Sequence, residues 1–166
     1  MKQREFFSRG RALKMAKSTW RDPVRESPIL REVEYCLSHF GFFVIPRDTR
    51  ASSEAHYSIW KMIDPARFVG VVWRNNTGAA RVGPRQQFVR FGVPGRPDFE
   101  GWVFASGKHI GIEVKTSTGT QTPDQKWYFN LSCETGAQCA VVRSYDDMEG
   151  VLKRWGFVRK GEARAA

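Results

Sequence analysis

The sequence has no run of apolar residues that approaches the roughly 18 needed to cross a membrane. Its N-terminus also lacks the apolar core of a secretory signal. Cysteine is scarce, with three residues in 166. Cys36, Cys133 and Cys139 are too few and too scattered for a disulfide framework or a zinc site, so we interpret all three as buried apolar side chains in a reducing compartment. These features predict a cytoplasmic protein without a membrane partner.

Acidic residues are outnumbered, with 17 Asp and Glu against 27 Lys and Arg, and the formal net charge is +10. Such an excess favours a polyanionic partner, with nucleic acid first and a membrane surface second, although a merely soluble basic protein could carry the same charge. Residues 1–25 hold eight of the basic side chains. This segment is predicted to be either a phosphate-contacting arm or a solvated tail. The three histidines have no partner at ligand spacing, and we expect structural or surface roles for them.

The length suits one compact domain of helices and strands. Thr122 and Gln125 predict a capping box at the start of one helix, and Gly41 and Gly136 are placed to end two helices. In chain order the patterns predict helix SPILREVEYCLSHF, strand FFVIP, an insertion at 46–68 with a short helix at 53–63, strands FVGVVWR, QFVRFG, DFEGWVFA and HIGIEVKTS, helix TPDQKWYFNLSCET, strand QCAVVRS and helix YDDMEGVLKRW. The stretch NNTGAARVGPRQQ is predicted to be a loop rich in turns. This order indicates an α/β fold with a mixed sheet and helices against it.

One predicted strand has charged residues inside an apolar run. Glu113 and Lys115 share a face of that strand because alternate residues point the same way. Asp98 opens the preceding strand, and a hairpin turn at SGK would bring it close to both. Two neighbouring carboxylates repel each other unless a cation is present, and their oxygen atoms suit Mg²⁺ or Mn²⁺. A water molecule whose pKa such an ion lowers can attack a phosphodiester, while Lys115 orients that water or neutralises charge at phosphorus.

The alternative for these residues is an ion pair on the solvated face of an edge strand. A Glu and a Lys two positions apart would fit that alternative by themselves. The segment before Asp98 favours the metal interpretation, because residues 70–97 contain five arginines and no acidic residue. A basic rim that holds phosphates around an acidic site that holds a cation is what phosphodiester cleavage requires. The five are Arg74, Arg81, Arg85, Arg90 and Arg96.

Six short motifs in this order resemble the VRR-NUC branch of the PD-(D/E)xK nucleases. The resemblance runs from about residue 26 to about residue 152, with 46–68 as an insertion. The motifs are ESPIL at the first helix, RNNTGA at 74–79, GVPGRPDF at 92–99, IEVK at 112–115, TPDQ at the next helix and VVRSYDD at a strand-to-helix passage. A lone PD…ExK is a modest signal, whereas all six in sequence are specific. Residues 26–158 are therefore predicted to be the nuclease domain, between the arm at 1–25 and a tail at 159–166.

The resemblance implies a restriction endonuclease-like αβββαβ core. It implies metal binding by Asp98, Glu113 and the backbone carbonyl of Val114, and it makes Lys115 the catalytic lysine. Gln125 becomes a supporting residue near the site, beside its role in the capping box. The family's acidic residue on the first helix matches Glu26 best, as a further catalytic residue and metal ligand. Glu32 and Glu34 fall off the core-facing stripe of that helix.

The resemblance also suggests how nucleic acid is held. It favours a contact between the scissile phosphate and Arg74, Asn75 and Asn76, which could otherwise only stabilise a turn. Arg81, Arg85 and Arg96 complete the predicted nucleic-acid-binding set. No recognition helix or zinc-finger spacing is present, so we expect recognition of DNA shape above sequence.

Small members of this family, many from phages or bacteria, include dimers that act on branched DNA such as four-way junctions. We therefore expect a homodimeric, Mg²⁺- or Mn²⁺-dependent deoxyribonuclease that is selective for junctions or flaps and works in a cytoplasm, that of the host if the chain is phage-encoded. The insertion, with Tyr57, Trp60 and Met62, is a candidate interface or a segment packed on the core. A catalytically silent nucleic-acid-binding module of the same fold, or an RNA-directed nuclease, are the alternatives.

Overall fold

The computed structural model of the chain describes residues 27–45, 59–75 and 78–162. Residues 59–61 are helical, within the helix predicted at 53–63, whose other positions up to 58 lie outside the described residues. The remaining elements are α1 (Ser27–His39), β1 (Phe42–Val44), β2 (Gly70–Arg74), β3 (Gly78–Val82), β4 (Gln87–Phe91), β5 (Phe99–Val103), β6 (His109–Val114), α2 (Pro123–Glu134), β7 (Gln138–Val142) and α3 (Tyr145–Arg154).

Five strands form one mixed sheet in the order β1-β2-β5-β6-β7. The three central strands are antiparallel, while β1 runs parallel to β2 and β7 runs parallel to β6. Helices flank this sheet, so the predicted mixed α/β class is confirmed. The succession of α1, the antiparallel strands β2, β5 and β6, then α2 and the parallel strand β7 is compatible with a restriction endonuclease-like core.

The hydrophobic core lies on the face of the sheet that α1 and α3 cover. Phe99 and Ile112 are opposite each other in β5 and β6 and are fully buried there. The predicted apolar stripe of α1 packs against them, and each buried side chain of this size contributes about 1.5–3 kcal/mol. The helix residues of this core are Leu30, Val33, Cys36, Leu37, Met148, Val151 and Leu152.

Helix ends follow the predicted turn chemistry. Thr122 accepts a hydrogen bond from the Gln125 N–H, and the Gln125 side chain accepts one from the Thr122 N–H, so the capping box is confirmed. Gly41 and Gly136 adopt φ values of 87° and 93° just after α1 and α2. Only glycine reaches this left-handed region without strain, which explains why both helices end there.

Two expectations about local structure are wrong. Residues 78–82 form a strand rather than part of a loop, and they pair antiparallel with β4 as a separate two-stranded sheet. The sequence GAARV has weak strand propensity, so the pairing with β4 decides its conformation. Among the cysteines, Cys36 is buried and Cys139 is half-buried, but Cys133 is exposed because α2 has no fully buried residue.

The second face of the sheet, here called the polar face for its buried Glu100 and Glu113, also carries aromatic side chains and is only partly covered, by α2. Alternation along the strands directs Glu100, Trp102, Gly111 and Glu113 to this face, opposite to the buried Phe99 and Ile112. Packing of apolar side chains alone does not explain the buried carboxylates on the polar face.

Among the described helices, none is both long and apolar enough to span a bilayer.

Candidate functional site

Two carboxylates from neighbouring strands meet at one end of the polar face. Phe99 pairs with Ile112, so the next step of the same antiparallel register sets Asp98 opposite Glu113. The Oδ2 atom of Asp98 accepts a hydrogen bond of 2.8 Å from the Val114 N–H. The structure thus brings Asp98 and Glu113 together, as predicted from the hairpin.

The segment that carries Asp98 is fixed from the β2 side. The backbone N–H of Asn75 donates to the carbonyl of Asp98 over 2.8 Å. The Asn75 side-chain Nδ2 donates to the carbonyl of Pro97, also over 2.8 Å. Asn75 therefore clamps the Pro97–Asp98 peptide, which is a positioning role for a residue that the resemblance favours as a phosphate contact.

Glu113 is 2% exposed, and the side chains of Gln125 and Lys115 contact its carboxylate. The Nε2 atom of Gln125 donates a 2.6 Å hydrogen bond to its Oε1 atom. The Nζ atom of Lys115 forms an ion pair with the same oxygen. Lys115 is itself 8% exposed, so a charged pair is held on the sheet surface with little water around it. This burial distinguishes the pair from the solvated ion pair considered as an alternative.

The position of α2 depends on a close approach by the loop before Asp98. Gly95 has a φ of 83°, and a Cβ atom there would lie 2.4 Å from the backbone oxygen of Asp124. No other residue fits both the backbone angle and this distance. A cavity of about 10 Å³ remains between Pro97, Glu113 and Gln125, which is room for about one water molecule.

A third carboxylate on this face was missed by the sequence interpretation. Glu100 is 1% exposed, and Tyr128 of α2 donates a 2.5 Å hydrogen bond to its Oε1 atom. Arg96 forms an ion pair with its Oε2 atom, and His109 Nε2 lies 4.0 Å from Oε1. The available signal was the alternation of Asp98, Glu100 and Trp102, which gives them one face of β5.

The surroundings of Glu100 shift several pKa values. Burial disfavours its charged form, but hydrogen bonds from Arg96 and Tyr128 outweigh burial and hold the pKa of Glu100 below its usual value. Burial and the bond to Glu100 raise the pKa of Tyr128 to about 12. Burial lowers the pKa of His109, against the attraction of Glu100. Glu100 is therefore a stable anion that ties α2 and the loop before β5 to the sheet.

The oxygen donors available for a metal are limited in number. Within the described ranges, no three His, Cys, Asp or Glu side chains come close enough together to hold an ion. Asp98 and Glu113 supply two carboxylates, with the Val114 backbone beside them. Mg²⁺ is usually bound through one or two carboxylates and keeps several waters, so this donor set fits Mg²⁺ or Mn²⁺. Glu26 lies outside the described residues.

The predicted nucleic-acid contacts are not brought to one surface. Arg74 pairs with the buried Phe99, so it lies on the core face and not on the face of Glu113. Its Nη1 atom is buried and lacks a hydrogen-bond partner in the part of the chain that the structure describes. Arg96 is bound to Glu100, two residues from Asp98.

The other two arginines of that set lie away from the main sheet. Arg81 belongs to β3 and Arg85 to the turn before β4, and both are exposed. Asn76 lies outside the described residues. Exposed cations on a small separate hairpin are available to a phosphate backbone, whereas Arg96 already has a buried anion as its partner.

No protein-family model matches the chain, and no curated protein matches it. The VRR-NUC resemblance accordingly remains a prediction that rests on the six motifs and on the geometry around Asp98 and Glu113.

Proposed function

We propose that the chain is a metal-dependent DNA nuclease that hydrolyses phosphodiester bonds at Asp98 and Glu113. The observation that carries this proposal is that Asp98 lies opposite Glu113 at the end of two adjacent strands, where Lys115 and Gln125 both bind Glu113. Burying charged side chains costs stability that apolar residues at the same positions would not cost, so such a cluster is typical of a functional site.

Each residue has a role that follows from its contacts. Asp98 and Glu113 hold the cation, with the Val114 carbonyl as a further donor. A bound Mg²⁺ or Mn²⁺ supplies a water of lowered pKa and neutralises phosphate charge. Lys115 stabilises negative charge that develops on the phosphoryl oxygens, and Gln125 fixes the orientation of the Glu113 carboxylate.

The reaction test is cleavage of labelled single strands, duplexes, flaps and four-way junctions in the presence of Mg²⁺ or Mn²⁺. We expect cutting that EDTA abolishes, with branched substrates preferred. Glu113→Gln and Lys115→Met keep the side-chain sizes and should each slow cleavage by at least about 100-fold. Cutting at the wild-type rate by either variant would overturn the assignment.

A catalytically silent nucleic-acid-binding module is the second candidate. The observation that favours it is the direct contact between Lys115 and Glu113, which neutralises the buried carboxylate without a metal. This candidate would be established if the protein binds DNA tightly but cleaves none of these substrates with any divalent metal. An RNA-directed nuclease would instead cut an RNA junction in preference to a DNA junction of the same sequence.

The proposed homodimer rests on exposed apolar side chains in the insertion. Trp60 is 50% exposed and Met62 is 63% exposed, while Tyr57 lies outside the described residues. Exposed side chains of this size are typical of interaction surfaces when they cluster. Light scattering on the wild type and on a Trp60→Ser, Met62→Ser double variant tests the proposal, since only the wild type should have twice the chain mass.

A further inference from the structure

Two tryptophans share the sheet face of Asp98 and Glu113. Trp73 of β2 is opposite Glu100, and Trp102 follows Glu100 by two positions on β5. Their ring centroids are 4.7 Å apart, and the rings are tilted by 58°. Trp102 nevertheless keeps 45% of its surface exposed. The half-buried Trp73 thus packs against Trp102, and nearly half of the Trp102 surface stays open to solvent.

Cationic side chains and a groove border this tryptophan pair. Arg96 reaches Glu100 beside Trp73, and about a third of its side chain is exposed. His109 is opposite Trp102 in the register, and the exposed Lys108 precedes it. Beyond them lies an open groove of about 540 Å³, lined by Lys108, His109, Tyr128 and Ser132.

The distances along β5 suit a nucleic-acid strand. Asp98 and Trp102 are four positions apart, which is about 13 Å of strand. A nucleic-acid strand rises about 3.4 Å per nucleotide when its bases stack, so about four nucleotides cover this length. Exposed aromatic rings between cations are the arrangement by which proteins hold unpaired bases and their phosphates together.

We propose that this face binds a single-stranded segment of the DNA substrate, with an unpaired base stacked on Trp102 and a backbone phosphate near the exposed Lys108. This inference rests on the proposed function, because the bound segment is taken to run from the phosphodiester that is cleaved at Asp98 and Glu113 toward Trp102. A duplex is excluded from this contact, since its base faces are covered by their neighbours. The substrate class is therefore DNA with an unpaired arm, such as a flap, rather than a fully paired junction.

The test measures binding without cleavage. Labelled oligothymidylate and a duplex of equal length are titrated with the full-length protein in EDTA, and the fluorescence of the protein is followed. Trp102→Ala should weaken binding of the single strand on the order of ten-fold and remove most of the tryptophan quenching. Binding of the duplex should change less than about two-fold, because duplex binding is set by phosphate contacts.

Trp127→Ala is the matched control, since Trp127 is 65% exposed on α2 and lies outside the Trp73–Trp102 pair. It should bind both probes as the wild type does. Trp102→Phe keeps an aromatic ring and should retain most of the single-strand affinity, which also guards against misfolding of the alanine variant. Equal losses for both probes, or no greater loss than in Trp127→Ala, would overturn the inference. Tighter binding of oligouridylate than of oligothymidylate would overturn the assignment to DNA.

Failure of this inference is distinguishable from failure of the nuclease proposal. Cleavage that needs Glu113 but is unaffected by Trp102→Ala on a flap substrate would reject the stacking face and retain the nuclease. Binding of single strands that needs Trp102, without cleavage by any metal, would retain the face and reject the nuclease.

Discussion

Gln125 and Glu113 are joined by a 2.6 Å hydrogen bond from the Nε2 atom of the amide to the carboxylate Oε1 atom. The other end of the same amide, Oε1, accepts the N–H of Thr122 over 2.9 Å and closes the capping box of α2. One side chain therefore starts the helix and orients a buried carboxylate of the sheet. Because both bonds use fixed atoms of a planar group, the first turn of α2 sets the direction of Glu113.

The two roles of Gln125 are separable by mutation. Thr122→Ala removes only the cap and should lower the free energy of unfolding by about 1 kcal/mol. Gln125→Ala should cost a similar amount and should also slow cleavage by about ten-fold, because Glu113 loses the donor that orients it. Urea unfolding and single-turnover cleavage at low temperature provide the two measurements. A Thr122→Ala variant that cleaves as slowly as Gln125→Ala would show that helix stability alone governs the rate.

Metal binding should stabilise the fold through Asp98 and Glu113. At one hundred times its dissociation constant, Mn²⁺ is expected to raise the free energy of unfolding by about 2.7 kcal/mol. Asp98→Asn and Glu113→Gln should abolish this increase, while Asp124→Asn, an exposed acid in the first turn of α2, should preserve it. Thermal unfolding with Mn²⁺ and after addition of EDTA measures the effect. An increase of equal size in all four proteins would place the ion elsewhere.

Arg96 and Arg85 should respond differently to the same substitution. Arg96→Met leaves Glu100 buried without its cation and should cost about 3 kcal/mol of stability. Arg85 is exposed on the β3–β4 turn, so Arg85→Met should leave stability within about 0.5 kcal/mol. If Arg85 contacts one phosphate, its loss should reduce the slope of log affinity against log salt by about 0.9.

Urea unfolding and duplex binding at several salt concentrations test this pair of variants. An unchanged salt slope in Arg85→Met would remove Arg85 from the nucleic-acid contacts. A stability loss in Arg96→Met no larger than that in Arg85→Met would contradict the importance of the buried pair with Glu100.

Helix boundaries and the ordered motifs could be predicted from sequence because they depend on neighbours along the chain. The cap at Thr122, the end at Gly41 and the hairpin that brings Asp98 to Glu113 are all set within about twenty residues. The face of the sheet on which Arg74 lies could not be predicted from neighbours along the chain. It follows from the pairing of β2 with β5 across the β3–β4 hairpin, and that pairing turns Arg74 toward the core.

Glu100 shows why part of the site was missed. Its importance comes from Tyr128, 28 positions later, and from the burial that α2 imposes on it. A local pattern gives Glu100 the same face as Asp98 but cannot indicate that a tyrosine will reach it. The Trp73–Trp102 pair likewise joins two strands that are distant in sequence. Long-range pairing, rather than local propensity, determines both features.

The bond between Tyr128 and Glu100 should make stability depend on alkaline pH. Burial and the Glu100 carboxylate raise the pKa of Tyr128 from 10.0 to about 12 in the folded chain. The unfolded chain therefore loses this proton first, so the stabilising effect is complete below pH 10.0 and is lost as the pH rises to about 12. Tyr128→Phe lacks the group, and its stability should decline less over that interval than the stability of the wild type. Urea unfolding at several alkaline pH values measures the free energy of unfolding of both proteins. The other tyrosines and lysines are present in both, so their contribution to the pH dependence cancels in the difference. Parallel declines in the two proteins would show that the Tyr128 proton is not held by Glu100.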